Sequence, residues 1–522
     1  MSTALIPPIY NELLGIKGLL NEAFAADIAR NFVLGLSGAQ DGPLLESWLQ
    51  EPVNVSGFNQ VIANEEDVAT LVALAGPMGA LANSDTASSL ILNNTAFVNA
   101  IAGSQIAAIQ IFSGDPALNY IGVGAFATPT LVGSATVMGW VAASGSAMEA
   151  LAGNATVMDS IAASQVAMDT LVASQLAMDA VAASQVAMDA VIASPTALNT
   201  VVVSQVAMDA VAASQVAMDV VAASQVAMDA VAASQVAMDA VSVVNMAIGK
   251  LAVGLAGLDS TGYADMDAVA ASQVAMDAVA ASQVAMDAVI ASPTALNTVV
   301  VSQVAMDAVA ASQVAMDAVA ASQVAMDVVA ASQVAMDAVS VVNMAIGKLA
   351  VGLAGLDSTG YADMDAVAAS QVAMDAVAAS QVAMDAVAAS QVAMDAVAAS
   401  QMAMDAVAAS QMAMDAVAAS PAAIESFNTS PLAITASVSI TNEYSLIESK
   451  ACWLISVYFY NVNNSYRGYL RYFRSGDTTR SFSSSGLYSF GEWMTTLEVI
   501  PRGDGTGLDG SADVTYIPRG AA

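Results

Sequence analysis

Few residue types in this chain could do chemistry, and spacing is what singles them out. The 522 residues contain no histidine, which removes the commonest general base, the usual nucleophilic triads and most zinc sites. Serine is abundant, but no G-x-S-x-G or S-x-x-K sequence stands in a strand–turn–helix setting, so no catalytic residue is assigned and the chain is read as not an enzyme. Methionine recurs once in each ten residues, and such a thioether ladder could hold Cu(I). Phe58, Val68, Val98 and Leu118 occupy the same place in earlier repeats, so apolarity is the property in use. An aspartate recurs from Asp169 through Asp415. A like-charged row could collect Ca²⁺ or Mg²⁺, although a solvated polar face is its commoner use.

Two clusters stand apart near the C-terminus. The segment D-G-T-G-L-D-G-S-A-D at 504–513 offers Asp504, Asp509 and Asp513 as oxygen ligands for Ca²⁺, but with no recognised ligand spacing it reads as a turn-rich loop. No cofactor is expected. Tyr466, Arg467, Tyr469, Arg471, Tyr472 and Arg474 make an aromatic and guanidinium cluster suited to stacking and bidentate bonding with a glycan or protein. Strand alternation would put Arg467, Tyr469, Arg471 and Phe473 on one face and Tyr466, Leu470 and Tyr472 on the other.

The elements that must position these residues are dominated by one ten-residue repeat, S-Q-V-A-M-D-A-V-A-A, nearly invariant from Ser164 to Ser420. Its phase reaches further back. Asn54, Asn64, Ser84, Asn94, Ser104, Ser134, Ser144 and Asn154 share the phase of Ser164, while Val61, Leu71, Leu81, Ile91, Ile101, Ile111, Ile121, Leu131, Val141, Leu151 and Ile161 fall seven residues further on. That makes roughly 38 units between residues 54 and 430, far above the three or so that an array needs.

Each unit reads as a short capped helix. Ser and Asn are favoured N-caps, and Ala, Met, Gln and Asp suit helices better than strands. Pro195, Pro293, Pro421 and Pro431 each follow the opening Ser, where a first-turn proline costs nothing because its missing N–H would be unpaired anyway. A continuous helix would turn its Met and Val stripe by roughly 80° per ten residues, so no straight or coiled-coil seam can gather it. The unit is therefore a helix of about seven or eight residues, a turn over A-A-S and the next helix, unstable alone and stacked on its neighbours. Within the unit at 204–213, Ala207, Met208 and Val211 share a face that excludes Gln205 and Asp209. Seven apolar residues in ten exceed one stripe, so either the solenoid wraps a narrow core or several chains pack along their length. Self-association, written as a trimer, is the expectation.

A longer repetition overlies the short one. Residues 184–281 recur as 282–379, including S-V-V-N-M-A-I-G-K from Ser242 and again from Ser340. Because 98 is not a multiple of ten, a slip is expected where D-A-V-A-A-S shortens to D-A-V-S, leaving eight-residue units at 234–241 and 332–339. A kink or bend is expected in the Gly-rich inserts 242–271 and 340–369, which hold Lys250 and Lys348.

The fold class is thus a mainly α repeat array, a solenoid-like stack of short capped helices with ten residues per unit, and a C-terminal all-β domain. The expected domains are an N-terminal helical cap or attachment segment at 1–53, a rod at 54–434 and a β tip at 435–522. In the cap, Leu13, Leu14, Leu20, Phe24, Ile28 and Phe32 mark one or two amphipathic helices. In the tip, β-branched and aromatic runs are broken by Asn, Gly and Ser. A ten-residue β-solenoid is the structural rival, disfavoured by the S-P starts.

Net charge is −35, yet residues 435–522 hold 7 Lys/Arg and 8 Asp/Glu. The excess acid belongs to the array, which argues against nucleic acid or anionic membranes as partners and discourages lateral clumping. The single thiol, Cys452, makes no intramolecular disulfide. No signal peptide or membrane span is expected; the most apolar stretch, 241–258, carries Asn245 and Lys250.

The decapeptides S-x-x-A-M-x-A-V-x-x, such as those opening at Ser204 and Ser302, resemble repeats of fibre and tail-associated virion structural proteins of tailed bacteriophages. The resemblance covers about residues 54–430. It implies localisation in the virion, an N-terminal end bound to virion proteins and a C-terminal tip that meets a host-surface glycan or protein; it carries over no catalytic residues. A secreted or cell-surface bacterial adhesin or ice-binding repeat protein is the alternative.

Overall fold

A computed structural model describes residues 24–439 without interruption, and beyond them the strands 445–448, 452–460, 468–473, 477–482, 486–494, 496–500 and 511–518. The chain divides into two compact units, Met1–Asp265 and Met266–Ala522. The division falls inside the first insert rather than at either end of the repeats. Among the described residues 38 α-helices follow one another, most of seven to nine residues.

One residue shows why the unit folds as it does. Ser204 has an extended backbone, and its Oγ accepts from the Ala207 N–H at 3.3 Å, satisfying one of the donors that every helix N-terminus leaves orphaned. The same Oγ donates to the Val172 carbonyl at 2.9 Å. Val172 ends the helix Gln165–Leu171, so that carbonyl is an orphan of the opposite kind. The Ser204 N–H donates to Val201 O and its carbonyl accepts from the Met208 N–H. Every polar group of this serine is used.

The reach of 32 residues recurs through each unit of the chain: Asn94 to Ile62, Ser174 to Ala142, Ser302 to Ala270, Ser332 to Val300, Ser410 to Ala378. Three ten-residue units therefore make one coil, and most helices pack on the third one along, as Ala135–Ala142 does on Gln165–Leu171, although Asp115–Val123 packs on the fourth, Ala155–Ala162. Successive helices turn through 94–108° at their joins. The joins need no left-handed glycine, since among the described glycines a left-handed φ occurs only at Gly257 and Gly355; Ala223 is right-handed and Ser214 extended, and this is why Ala-Ala-Ser suffices as a turn.

The core lies inside the coils. Ala207, Met208 and Val211 are at most 1 % exposed, and the residues seven past each opener, from Val61 to Leu171, are equally buried. Full burial of one Met or Val stabilises by about 1.5–3 kcal/mol, and that stacking supplies what a helix of eight residues lacks alone. Part of the surplus of apolar residues is absorbed within the chain, because ninth-position alanines such as Ala212 and Ala310 are buried too, while third-position valines such as Val226 and Val274 stay exposed. Gln and Asp take the outer face and bond to each other: Gln205 Nε2 donates to Asp209 Oδ1 at 2.6 Å, and Gln303 to Asp307 at 2.7 Å.

Several expectations need correction. The ten-residue advance does not slip at D-A-V-S. The helix Gln235–Ser242 absorbs Ser242, and Val244 takes the extended N-cap place, ten past Ser234, without a side-chain bond. Val342 does the same in the second copy. The two missing residues are lost later, inside the insert, where the next serine cap is Ser272 or Ser370. Pro195, Pro293 and Pro421 do open helices, whereas Pro431 begins a turn that leads into a strand. Asn54 lies within the helix Pro52–Ala63 and bonds Trp48 O, so Asn64 is the first opener that caps. In the N-terminal helix Ala25–Leu34 the buried face is Ala25, Ala29 and Val33, while Phe24 and Ile28 are 54 % and 45 % exposed. Close approach is the reason: a Cβ on Gly57 would lie 2.3 Å from Ala25 O, and only small residues allow such contact. Leu13, Leu14 and Leu20 lie outside the described residues.

Beyond Ser430 the described residues run as strands β1 (Ile434–Ser439), β2 (Ser445–Glu448), β3 (Cys452–Tyr460), β4 (Gly468–Phe473), β5 (Asp477–Phe482), β6 (Gly486–Met494), β7 (Thr496–Ile500) and β8 (Ser511–Pro518). They pair antiparallel in the orders β1-β8-β3-β6 and β2-β7-β4-β5.

Replacing Ser204 by Ala should remove a cap and strand a buried carbonyl, lowering stability by about 1.5–3 kcal/mol. Gln205→Ala should stay within about 0.5 kcal/mol. Urea unfolding of both variants checks this; equal midpoints would remove the special role of the serine.

Candidate functional site

The polar residues that depart from the repeat are where anything beyond stacking must reside. One position collects them. The seventh residue of a unit is Ala in most repeats; some polar residues there bond only within their own helix, as Thr170 and Thr298 do, whereas others bond the coil below. Ser160 Oγ donates to Gly122 O at 2.6 Å, Thr200 Oγ1 accepts from Gln165 at 2.9 Å, and Ser426 Oγ donates to Asp395 Oδ1 at 2.7 Å.

Lys250 and Lys348 fill this same position in the two inserts. Both are fully buried. Lys250 Nζ donates to Asp219 Oδ1 and, at 3.4 Å, to the Ser260 carbonyl. Lys348 Nζ does so to Asp317 Oδ1 and, at 3.3 Å, to the Ser358 carbonyl. A buried ammonium costs several kcal/mol unless it is paired and hydrogen-bonded, and both partners are present in each copy. Beside each pair lies an open cavity of about 410 or 380 Å³, edged by Asp219, Met228, Gly254 and Asp259 in one copy and Asp317, Met326, Gly352 and Asp357 in the other. Bonds from the Thr261 and Thr359 N–H and hydroxyl groups hold the Asp259 and Asp357 carboxyls below their ordinary range. A larger groove of about 830 Å³ runs between Gly145–Ala152 and Gln175–Ala182, edged by Glu149, Gly153, Leu176 and Asp179.

The N-terminal end has its own device. Ser84 shares the phase of the repeat, but among the described residues its hydroxyl meets a carboxylate in place of a backbone carbonyl. Glu46, on the helix Gly42–Trp48, takes that role: its carboxylate accepts from Ser84 Oγ at 2.6 Å, Thr86 N at 2.9 Å and Thr86 Oγ1 at 2.6 Å. Partial burial pushes this carboxyl up, but the bonds from Ser84 and Thr86 together outweigh it and hold the group below its ordinary range. Arg30 ties the preceding helix to the array through Asp67, at 2.6 and 2.8 Å.

The residues chosen from sequence fare unevenly. Tyr469, Arg471 and Tyr472 lie on β4, the inner strand between β7 and β5, with Arg471 opposite Glu498 and Thr479. Tyr466, Arg467 and Arg474 lie outside the described residues, as do Asp504 and Asp509, while Asp513 sits on β8. The methionines of the row are core residues, as Met168, Met208 and Met394 show at 0–1 % exposure. Many of the aspartates bond to glutamines of their own helices, while Asp219 and Asp317 bond Lys250 and Lys348, and among the described residues no group of three or more Asp, Glu or Cys is arranged to hold a metal ion. Among the same residues no single helix is long and apolar enough to cross a membrane. Sequence reading flagged the two lysines but not their partners, although 31 residues, one more than three units, is the separation in both pairs. Glu46 carried no signal at all, because its partners lie 38 and 40 residues away.

No protein-family model matches the chain, and no curated protein matches it.

Because the folded Glu46 carboxyl titrates below its unfolded value, its contribution is fully present above the ordinary carboxylate range and is lost as pH falls through the depressed value. Glu46→Ala should therefore lower stability by about 1–3 kcal/mol at pH 7, with the gap to the unchanged protein closing in acid. Thermal melts across pH 2–7 read this; a gap independent of pH would refute it.

Proposed function

We propose that this chain is a non-enzymatic structural fibre protein of a tailed-bacteriophage virion, in which the helical array is a spacer and residues 435–522 form an independent all-β domain for recognition. The reading rests on one observation, the 32-residue serine ladder. Each coil presents to the next the same carbonyls, the same Ala, Met and Val core and the same Gln–Asp rim. Adding a coil of three helices lengthens a unit by one helix-packing distance, roughly 8–10 Å, and creates no new pocket chemistry. Such an architecture serves reach rather than catalysis.

In this reading the N-terminal end joins other virion proteins, several copies associate, and the tip meets a host glycan or protein. The acidic rim keeps arrays from clumping. The tip adjoins the array through the Trp453 ring, which meets Phe427 edge-on at 5.0 Å and donates from Nε1 to Asn428 Oδ1 at 3.3 Å. That contact supports a tip seated on the last helix, Pro421–Asn428.

Electron microscopy of the purified chain with its mass in solution tests the proposal: slender particles with a terminal knob and a mass of several chains are expected, and a compact monomer would overturn it. Adsorption of the full chain to a panel of bacterial strains tests the tip. Arg471→Ala and Tyr469→Ala should each weaken adsorption about tenfold or more, the loss of a bidentate or stacking anchor; unchanged adsorption in both would assign that cluster to the fold alone.

A further inference from the structure

Two inserts share a left-handed glycine and a buried Lys–Asp pair, and the second lies wholly within one compact unit. Its helix Asn343–Leu353 is buried from Ala345 through Gly352, so it has no outer face. Gly347 occupies the place where an ordinary unit carries its solvent-facing Asp, and a Cβ there would lie 2.5 Å from the backbone of Asp363 and Met364. The chain thus returns directly across this helix. The reversal begins at Gly355, at φ +78°, with Leu356 N donating to Val351 O and Gly355 N to Gly352 O, the paired bonds of a left-handed helix stop. Asn343 then holds the returning chain, donating to Asp365 at 2.7 Å and accepting from Met364 N at 3.2 Å.

The coil that follows is stacked differently. Ser380 donates to Leu353 O, 27 residues back, and Ser390 to Ser340 O, 50 back, before Ser400 restores the reach of 32 with Ala368. Below the insert the regular stacking persists, because Lys348 meets Asp317 at the same separation of 31 that joins Ser426 to Asp395. Lys348 Nζ therefore bonds both the regular coil below, at Asp317, and the return segment above, at Ser358 O, while the Ser358 hydroxyl adds a longer bond of 3.5 Å to the same Asp317 oxygen. Lys250 bonds Asp219 and Ser260 O in the same way within its own unit.

We infer that each buried lysine is a latch: it clamps the return segment, 354–363 in one copy and 256–265 in the other, onto the preceding coil. The second insert, which lies inside one unit, thereby becomes a stiff joint at which the stacking changes register without exposing the core. A methionine would fill the same space and serve packing as well, but it would bond neither carbonyl nor carboxylate, so the choice of lysine is directional. This inference concerns the joint alone and holds whatever the array presents at its ends.

Because the two inserts share their sequence, both lysines are changed together in the full chain, as K250M/K348M, and amide hydrogen exchange is followed by mass spectrometry. Exchange in 256–265 and 354–363 should quicken at least tenfold, while regular repeats far from either insert, such as 165–182, stay as they were. Unaltered exchange in the return segments would overturn the latch, and so would quickening spread evenly along the array, which would make the lysines general stabilisers. Should the methionine pair lose its helical circular dichroism, D219N/D317N, which keeps the packing and weakens the bond, must quicken the same two segments, or the inference fails.

Discussion

A helix of eight residues leaves nearly as many backbone groups unpaired at its ends as it pairs within, so an array built only of such helices depends on what satisfies those ends. Here one hydroxyl does both tasks. It accepts from an N–H of its own helix and donates to the last-turn carbonyl of the helix one coil below, as Ser204 does between Ala207 and Val172. Capping and stacking are one interaction, so a unit cannot fold locally without also fixing its place on the previous coil. This coupling explains why the repeat tolerates Asn at position one, as Asn94 shows with its bond to Ile62 O, and why it can keep to small residues elsewhere.

The remaining positions follow from three helices per coil. Ala and Met face inward where coils meet, and the Met place is filled in earlier units by Phe58, Val68, Val98 and Leu118, all buried as well; the flexible thioether adapts to the same seam. Gln and Asp one turn apart neutralise each other's polar groups on the rim. The seventh position is the place where polarity can be inserted between coils, and the chain uses it sparingly: Ser160, Thr200 and Ser426 in ordinary units, Lys250 and Lys348 in the inserts. Hydroxyls add a tie there. A buried ammonium, by contrast, demands partners on two sides and so selects a single arrangement.

A ladder of this kind must also be ended. At its start Glu46 gives Ser84 the acceptor that a backbone carbonyl gives Ser204. At its end Ser430 still donates to Ala398 O, and the Trp453 ring against Phe427 covers the last helix. These ends are the least repetitive parts of the array, because an open solenoid face has the same unpaired groups as any interior coil but no identical neighbour to meet them.

The unit itself was legible in the amino-acid order: phase-matched Ser and Asn openers, S-P starts and an 80° drift left a capped short helix as the consistent reading, and the buried Ala207, Met208 and Val211 agree with it. Those signals are local, carried by residues within one turn of each other. The number of helices per coil was not legible, since any closed stacking of identical units leaves the same decapeptide; only the reach of 32 residues decides on three. Nor was the place of the slip, because Val244 can stand where a serine stood once the coil below holds the backbone in position. The Lys–Asp pairs and Glu46 belong to the same class, being contacts over 31 to 40 residues. Short-range chemistry thus determined what each ten residues become, and long-range packing alone decided which of them meet, because in a repeat every candidate partner looks alike until the coil closes.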